Sequence, residues 1–169
     1  MSKVILYMAI SANGFIARED DDTSWISAKE WESYSEFVRR AGCLIVGHRT
    51  YNILTKQPEF SEFEKIKIVV LSHKDFKTLA SHHLVAKNPK EALNLLKDFK
   101  EVVVAGGGIL NSSFIKQGLI DEVYLDIEPI ILGNGIKLFA EDKFSIDLKL
   151  LDFKKISENE IQLHYEIEK

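Results

Sequence analysis

The chain has 169 residues, 46% hydrophobic and 28% charged, which places it among globular proteins of about one domain's length and excludes disordered and fibrous classes. Its net charge of −4 argues against a nucleic-acid or anionic-membrane protein, which would carry a broad basic surface. One cysteine, Cys43, rules out a disulfide framework or a cysteine zinc site, and no window reaches about 18 uncharged apolar residues, so no membrane span is expected.

Val4–Ile10 reads as a buried strand. The residues Met1–Tyr7 lack a secretory signal's long apolar stretch and small-residue cleavage site, so the cytoplasm is the expected location. Ser27–Ala41 has helix period and sets Trp31, Tyr34, Phe37, Val38 and Ala41 on one face. Cys43–Val46 is a strand with Cys43 as a buried, inert thiol, followed by a short helix from Arg49 or Thr50 to Leu54. Lys56–Glu64 reads as a polar connection. Ile66–Leu71 and Leu84–Ala86 are further strands, and His82-His83 is expected on a surface connection. Pro89–Phe99 is a helix with Ala92, Leu95, Leu96 and Phe99 inward. Val102–Ala105 is a strand, and Ile109–Gln117 a helix with Gly118 as a left-handed cap. Val123–Ile127 is a strand. Leu148–Lys155 and Ile161–Glu168 form a hairpin around Ser157-Glu158-Asn159-Glu160. Strands alternating with helices predict an α/β fold with a mostly parallel central sheet and a C-terminal antiparallel hairpin. No linker divides the chain, so a single domain over 1–169 is expected.

Three motifs carry chemistry. In Val102-Val103-Val104-Ala105-Gly106-Gly107-Gly108-Ile109 a buried strand runs into three glycines and then a helix. Glycines let a ligand approach the backbone, and a helix start offers unpaired N–H groups and a positive dipole end, which suits a pyrophosphate. In Val46-Gly47-His48-Arg49-Thr50-Tyr51 a basic pair follows a strand, where open α/β sheets place their ligands. Arg49 is either a solvated loop arginine or a bidentate partner for a phosphate. In Trp25-Ile26-Ser27-Ala28-Lys29-Glu30 the Ser-x-x-Glu pattern is a capping box, and Glu30 is alternatively a pocket carboxylate. Asn88 and Glu91 make a second box without assigned function. The five histidines show no metal-ligand spacing, and no metal site is expected.

The order of Met8-Ala9-Ile10, Asn13-Gly14-Phe15-Ile16, Trp25, the Gly47 motif, Val70-Leu71-Ser72, the glycine turn and Tyr124-Leu125 resembles the dihydrofolate reductase superfamily. The stretch from Pro129 through Leu132-Gly133-Asn134-Gly135 to Leu138-Phe139, with the opening Ser11-Ala12-Asn13-Gly14-Phe15-Ile16-Ala17, is similar to the RibD C-terminal reductase domain of riboflavin biosynthesis. That family often has Asp at the place of Asn13, and its deaminase half has no counterpart in this sequence.

The resemblance implies a dihydrofolate-reductase-like three-layer α-β-α fold and NADPH as cofactor. Ala9 and Ile16 would hold the nicotinamide carboxamide. Gly47, His48, Arg49 and Thr50 would flank the adenosine phosphates. Leu71, Ser72 and His73 would contact the adenine ribose and its 2′-phosphate, and Gly106, Gly107, Gly108 and Ile109 would cradle the pyrophosphate. The family's basic residue usually occupies the place of His48, one before Arg49. Asn13, Trp25 and Tyr34 are expected at the substrate, with Glu30 and Asp126 as candidate catalytic carboxylates and Arg18, Lys65 and Lys67 as candidates for a substrate phosphate. Against the folate pattern, Ile26-Ser27 stands where Leu-Pro is usual, Ile66 stands where an arginine is usual, and the threonine usual near Asp126 is missing.

The expected activity is therefore that of 5-amino-6-(5-phosphoribosylamino)uracil reductase, hydride transfer to a C=N or sugar carbonyl carbon. The alternatives are a dihydrofolate reductase with a divergent pocket and a non-catalytic NADPH-binding relative. The partners expected are a small-molecule substrate and, by resemblance, a second copy of the chain in a homodimer.

Overall fold

The computed structural model describes residues 1–140 and 143–168. Eight strands form one sheet in the order β5-β4-β3-β6-β1-β7-β10-β9. They are β1 (Lys3–Ser11), β3 (Cys43–Gly47), β4 (Lys67–Leu71), β5 (Leu84–Ala86), β6 (Glu101–Val104), β7 (Glu122–Glu128), β9 (Leu148–Lys155) and β10 (Ile161–Ile167). Pairing is parallel from β5 through β7 and antiparallel for β7–β10 and β10–β9. A small second sheet joins β2 (Phe15–Ala17) to β8 (Ile136–Lys137). The expected fold class is the observed one.

The central strands are apolar on both faces because both are covered by helices. On one side Ile5, Tyr7, Leu44, Val46, Ile68, Val70 and Val103 pack with Phe37 and Val38 of α1 (Ala28–Ala41) and with Tyr51 and Leu54 of α2 (His48–Leu54). On the other, Val4, Leu6, Ile45, Val69, Val102 and Val104 meet Ala92 of α3 (Pro89–Leu95) and Leu110, Phe114 and Ile115 of α4 (Gly108–Lys116). Each fully buried aliphatic or aromatic side chain here contributes about 1.5–3 kcal/mol of burial.

Element boundaries follow the pattern read from the sequence to within a few residues; the short strands β2 and β8 are additional to it, and the structure differs in three further respects. The helix expected over Pro89–Phe99 ends at Leu95, because the chain turns through Leu96–Lys100 to enter β6 at Glu101. The Lys56–Glu64 connection holds a 3-10 helix, Pro58–Phe63, since Phe60 and Phe63 stand three apart and pack inward, Phe63 completely buried. His83 is buried rather than on the surface: its Nδ1 lies 2.8 Å from the Tyr51 hydroxyl, and burial pulls its pKa down to about 4. His82 beside it is exposed. Gly118 does adopt the left-handed conformation, with φ of 65°.

The segment after β7 is a strap. Ala12 N–H donates to Ile130 O (2.8 Å), Leu138 N–H to Gly14 O (3.2 Å) and Ala140 N–H to Gly108 O (3.1 Å). The Asn111 amide donates to Leu138 O (2.9 Å). The strap thus ties the β1–β2 turn to the start of α4. Two glycines make this contact sterically possible: a Cβ on Gly108 would stand 2.5 Å from Lys137 O, and one on Gly135 would stand 2.4 Å from Ala17 O. Gly133, two residues before Gly135, has open space around it. Gly135→Ala is therefore expected to lower unfolding stability by about 1–3 kcal/mol, while Gly133→Ala shifts it by roughly 0.5 kcal/mol or less. Urea denaturation of the two variants checks this; equal stabilities would contradict the strap packing.

Candidate active site

Gly47 at the end of β3 donates its N–H to Gly106 O just past β6 (2.9 Å). A Cβ placed on Gly107 would meet Thr50 Oγ1 at 3.6 Å. The two strand ends and the starts of α2 and α4 therefore converge on one place. Gly106 takes φ of 82° beside the Met8 side chain of β1, and the Gly106–Gly107 peptide is cis. Ile109, in the first turn of α4, is 80% exposed, an unusual setting for a large apolar side chain. The structure thus brings together Gly47, Thr50, Gly106, Gly107, Gly108 and Ile109, with exposed His48 and Arg49 alongside. Backbone N–H groups at the two helix starts have no intrahelical acceptors and offer donors to an anion.

The other expected nucleotide contacts are disposed differently. Leu71 lies opposite Gly47 in the β3–β4 register, with exposed His73 just beyond. Ser72 is buried, and its hydroxyl is held locally, donating to Lys74 O (3.1 Å) and accepting from Lys74 N–H (3.3 Å). Arg49 spends its guanidinium on Asp21, at 2.8 Å from Nε and 2.6 Å from Nη2. Ala9 and Ile16 are both buried, Ala9 at the end of β1 and Ile16 within β2.

On the far side of β1 lies a set of buried acids. Ala9 faces Asp126 and Ser11 faces Glu128 in the β1–β7 register. Asp126 accepts from the Tyr7 hydroxyl (2.6 Å) and from the Gln162 amide (2.8 Å), and Gln162 also donates to the Tyr7 oxygen (2.9 Å). Ser33 Oγ lies 2.9 Å from the same oxygen. Burial pushes Asp126 up to about 6. Glu128 rises to about 7, through burial first and then its hydrogen bond to Glu160, while Glu160 is held below its ordinary value. Glu30 is driven well above the usual carboxylate range by burial and by Asp126, Glu128 and Glu160.

The Ser27-x-x-Glu30 box is half made. Ser27 Oγ accepts from Glu30 N–H (3.0 Å), but the Ser27 N–H donates to Glu128 (3.1 Å) rather than back to Glu30. Glu128 does the box acid's work from another strand, which leaves the Glu30 carboxyl turned inward at 4% exposure. Sequence reasoning missed Tyr7, Ser33, Glu128, Glu160 and Gln162. Glu128 was within reach, two residues from Asp126 on one strand and so on the same face.

Several expected substrate residues are engaged structurally. Asn13 clamps the strap, its amide donating to Leu132 O (2.7 Å) and its oxygen accepting from Leu132 N–H (3.2 Å) and Ser11 Oγ (2.8 Å). Asparagine rather than aspartate suits this position, because only the amide both donates and accepts. Trp25 donates to Asp22 O (3.2 Å). Tyr34 packs among Tyr7, Trp31 and Phe63, with ring centroids 5.5–6.0 Å apart. Lys65 and Lys67 flank the start of β4, at the opposite end of the sheet from the glycine turn, and Arg18 pairs with Asp22 (3.1 Å). Among the described residues no group of three or more His, Cys, Asp or Glu is disposed to hold a metal, and no helix is long and apolar enough to cross a membrane.

The model of the RibD C-terminal domain family matches residues 2–162. The chain belongs to that family. Among curated relatives, this RibD C-terminal domain is 31% identical over 169 residues to the uncharacterized protein YwjB of Bacillus subtilis (strain 168), covering 96% of this chain and 97% of YwjB. Among solved structures it resembles a deaminase/5-amino-6-(5-phosphoribosylamino)uracil reductase from Thermotoga maritima, with TM-score 0.74, 18% identity and coverage of 98% of this chain and 56% of that one. It also resembles dihydrofolate reductase from Enterococcus faecalis complexed with NADP(H), with TM-score 0.77, 16% identity and coverage of 99% and 97%. At these identities the two structures share its fold.

The acids make a pH prediction. Asp126 and Glu128 have folded-state pKa values above their unfolded ones, so their contribution is complete below about pH 4 and is lost as pH rises through about 6 and 7. His83 works oppositely, gaining stability as pH rises from about 4 to 6.5. Glu128→Gln keeps the protonated acid's shape and hydrogen-bonding groups without its titration, and it leaves His83 in place. Between pH 5 and 8 the wild-type chain is expected to lose more stability than Glu128→Gln, measured by urea unfolding; parallel profiles would contradict the raised pKa of Glu128.

Proposed function

We propose that this RibD C-terminal domain is an NADPH-dependent reductase of the riboflavin type. It delivers hydride to an electrophilic C=N or sugar carbonyl carbon of a pyrimidine-linked ribose phosphate. The observation that carries the reading is a juxtaposition across the end of β1: Met8 touches the glycine turn, while its neighbour Ala9 faces Asp126 of the buried acid set. A dinucleotide cradle and a proton-holding group thus share one strand end.

The residues present fit a dinucleotide. The glycine turn leaves backbone open to a pyrophosphate, and the apolar face of Ile109, exposed beside it, is available for a ligand to cover. Bound there, the reduced nicotinamide supplies the hydride. The chain's own part is to orient the substrate and hold a proton at Asp126, pushed up to about 6 by burial, or at Glu30, which burial and the neighbouring acids hold well above the ordinary carboxylate range. The Tyr7 hydroxyl and Gln162 amide fix Asp126 in place. Recognition of a 2′-phosphate falls to His48, His73 and an Arg49 that exchanges Asp21 for the ligand.

Fluorescence titration with NADPH and NADH, and NADPH oxidation with 5-amino-6-(5-phosphoribosylamino)uracil, test the reading directly. NADPH is expected to bind tighter than NADH, and methotrexate to leave its affinity unchanged. Methotrexate-enhanced binding would favour the folate alternative, and tight binding without turnover of any pyrimidine or pteridine the non-catalytic one. Ile109→Asp adds negative charge at the start of α4, which favours the helix dipole but repels a pyrophosphate. It is expected to leave thermal stability intact and to weaken NADPH about tenfold or more. An unaltered affinity would remove the glycine turn from the cofactor site. Arg49→Ala is expected to narrow the NADPH-to-NADH preference; an unchanged ratio would leave the 2′-phosphate to His48 and His73.

A further inference from the structure

A carboxyl that gives up a proton in each turnover has to be reloaded. Asp126 is 1% exposed, so solvent does not reach it directly. Among the described residues its side-chain hydrogen-bond partners are the Tyr7 hydroxyl on Oδ2 (2.6 Å) and the Gln162 amide on Oδ1 (2.8 Å). An amide keeps its protons, whereas a hydroxyl takes one while giving another. The hydrogen-bonded way to Asp126 therefore runs through Tyr7. The Tyr7 oxygen lies 2.9 Å from Ser33 Oγ, and Ser33 is half-buried on α1. It stands three residues after Glu30, the spacing of neighbours on one helix face.

This network is satisfied in two proton arrangements. In one, Tyr7 donates to the Asp126 carboxylate and accepts from Ser33 and Gln162. In the other, protonated Asp126 donates to Tyr7, which donates to Ser33 and still accepts from Gln162. A phenol has one proton and two lone pairs, and each arrangement uses all three. Gln162 donates to Tyr7 (2.9 Å) and to Asp126 in both, so it holds the two oxygens in place whichever way the protons lie. The Tyr7 ring is fixed as well, 1% exposed and packed at centroid distances of 5.1–5.7 Å among Phe37, Tyr34 and Tyr124. Burial and then Asp126 drive the phenol pKa upward, so Tyr7 passes a proton on as a hydroxyl without becoming a phenolate.

We propose that Ser33 and Tyr7 form a proton relay that reloads Asp126 from solvent. A solvent acid gives a proton to Ser33 Oγ, Ser33 gives its own to Tyr7 Oη, and Tyr7 gives its own to Asp126 Oδ2. One proton enters, the carboxylate becomes the acid, and both hydroxyls end as they began. The observed bond from the Tyr7 hydroxyl to Asp126 Oδ2 is the arrangement ready for this step. Glu30 of α1, Glu160 just before β10 and Lys154 of β9 also face the acid set, and Glu128 follows Asp126 two residues on along β7. The relay's use in turnover rests on the reductase reading above; the relay itself does not.

Ser33→Thr and Ser33→Val are a matched pair for the test, both β-branched, one with a hydroxyl where the other has a methyl. The full chain, without cofactor or substrate, is jumped from about pH 8 to about pH 5, across the Asp126 midpoint of about 6. The carbonyl band of the protonated acid is followed by infrared absorption and identified by its absence in Asp126→Asn. Ser33→Thr is expected to reload at close to the wild-type rate, and Ser33→Val at least about tenfold more slowly, with the midpoint unchanged in both. A merely structural role for Ser33 would move the midpoint or the melting temperature, not the rate alone. Under NADPH turnover of 5-amino-6-(5-phosphoribosylamino)uracil, Ser33→Val is expected to lower kcat and leave KM unchanged. Reloading as fast in Ser33→Val as in Ser33→Thr overturns the relay, whatever the turnover. A wild type without turnover, while the two variants differ in reloading, sinks the reductase reading and upholds the relay. Should Ser33→Val fail to fold, Tyr7→Phe is expected to slow reloading to the same degree and to raise the midpoint, since it removes a hydrogen bond that favours the carboxylate. An unslowed Tyr7→Phe then overturns the relay.

Discussion

Strand β1 is bonded along both edges, parallel to β6 on one side and to β7 on the other, and the rest of the site depends on that placement. Its register with β6 brings Met8 against Gly106, and its register with β7 sets Ala9 and Ser11 opposite Asp126 and Glu128. A shift of one residue would turn every side chain to the other face and separate the glycine turn from the acids. The shift is resisted by the core itself, since Val4, Leu6, Ile5 and Tyr7 fill opposite sides of the sheet and are all nearly completely buried.

Burying four carboxylates within one wall would be prohibitive if all were charged. The chain avoids this by protonation and by hydrogen bonding. Asp126 is satisfied by Tyr7 and Gln162, Glu128 and Glu160 share a hydrogen bond, and Glu30 is held toward its neutral form by burial and by its neighbours. Such a set costs stability that an apolar wall would not. It persists beside a strand end where α/β sheets carry their ligands. Perturbed carboxylates in such a place are the ordinary signature of a reacting centre.

Much of the fold was legible because the patterns were local. The glycine turn between β6 and α4, the Ser27 cap of α1 and the C-terminal hairpin depend on neighbours in sequence, and they stand where the sequence puts them. The acid wall was half legible. Asp126 and Glu30 stood out, but Gln162 joins them only through the β7–β10 register, 36 residues away in the chain. Asn13 and Ser72 show the converse. Each has a residue type suited to a ligand, yet its polar atoms are consumed by backbone nearby or across the strap. The capping box misled for the same reason, because a long-range partner, Glu128, displaced the local one.

The strap has a consequence for how the chain meets any ligand. Because β8 is paired to β2 and Ala140 is tied to Gly108, the β1–β2 turn and the start of α4 are one mechanical unit. A loop free to swing would have to be stilled each time something bound, at an entropic cost of roughly 0.5–1.5 kcal/mol for each flexible side chain immobilised. Here that freedom is surrendered during folding. The surface around the glycine turn is therefore set in shape by the fold itself, before any ligand is present.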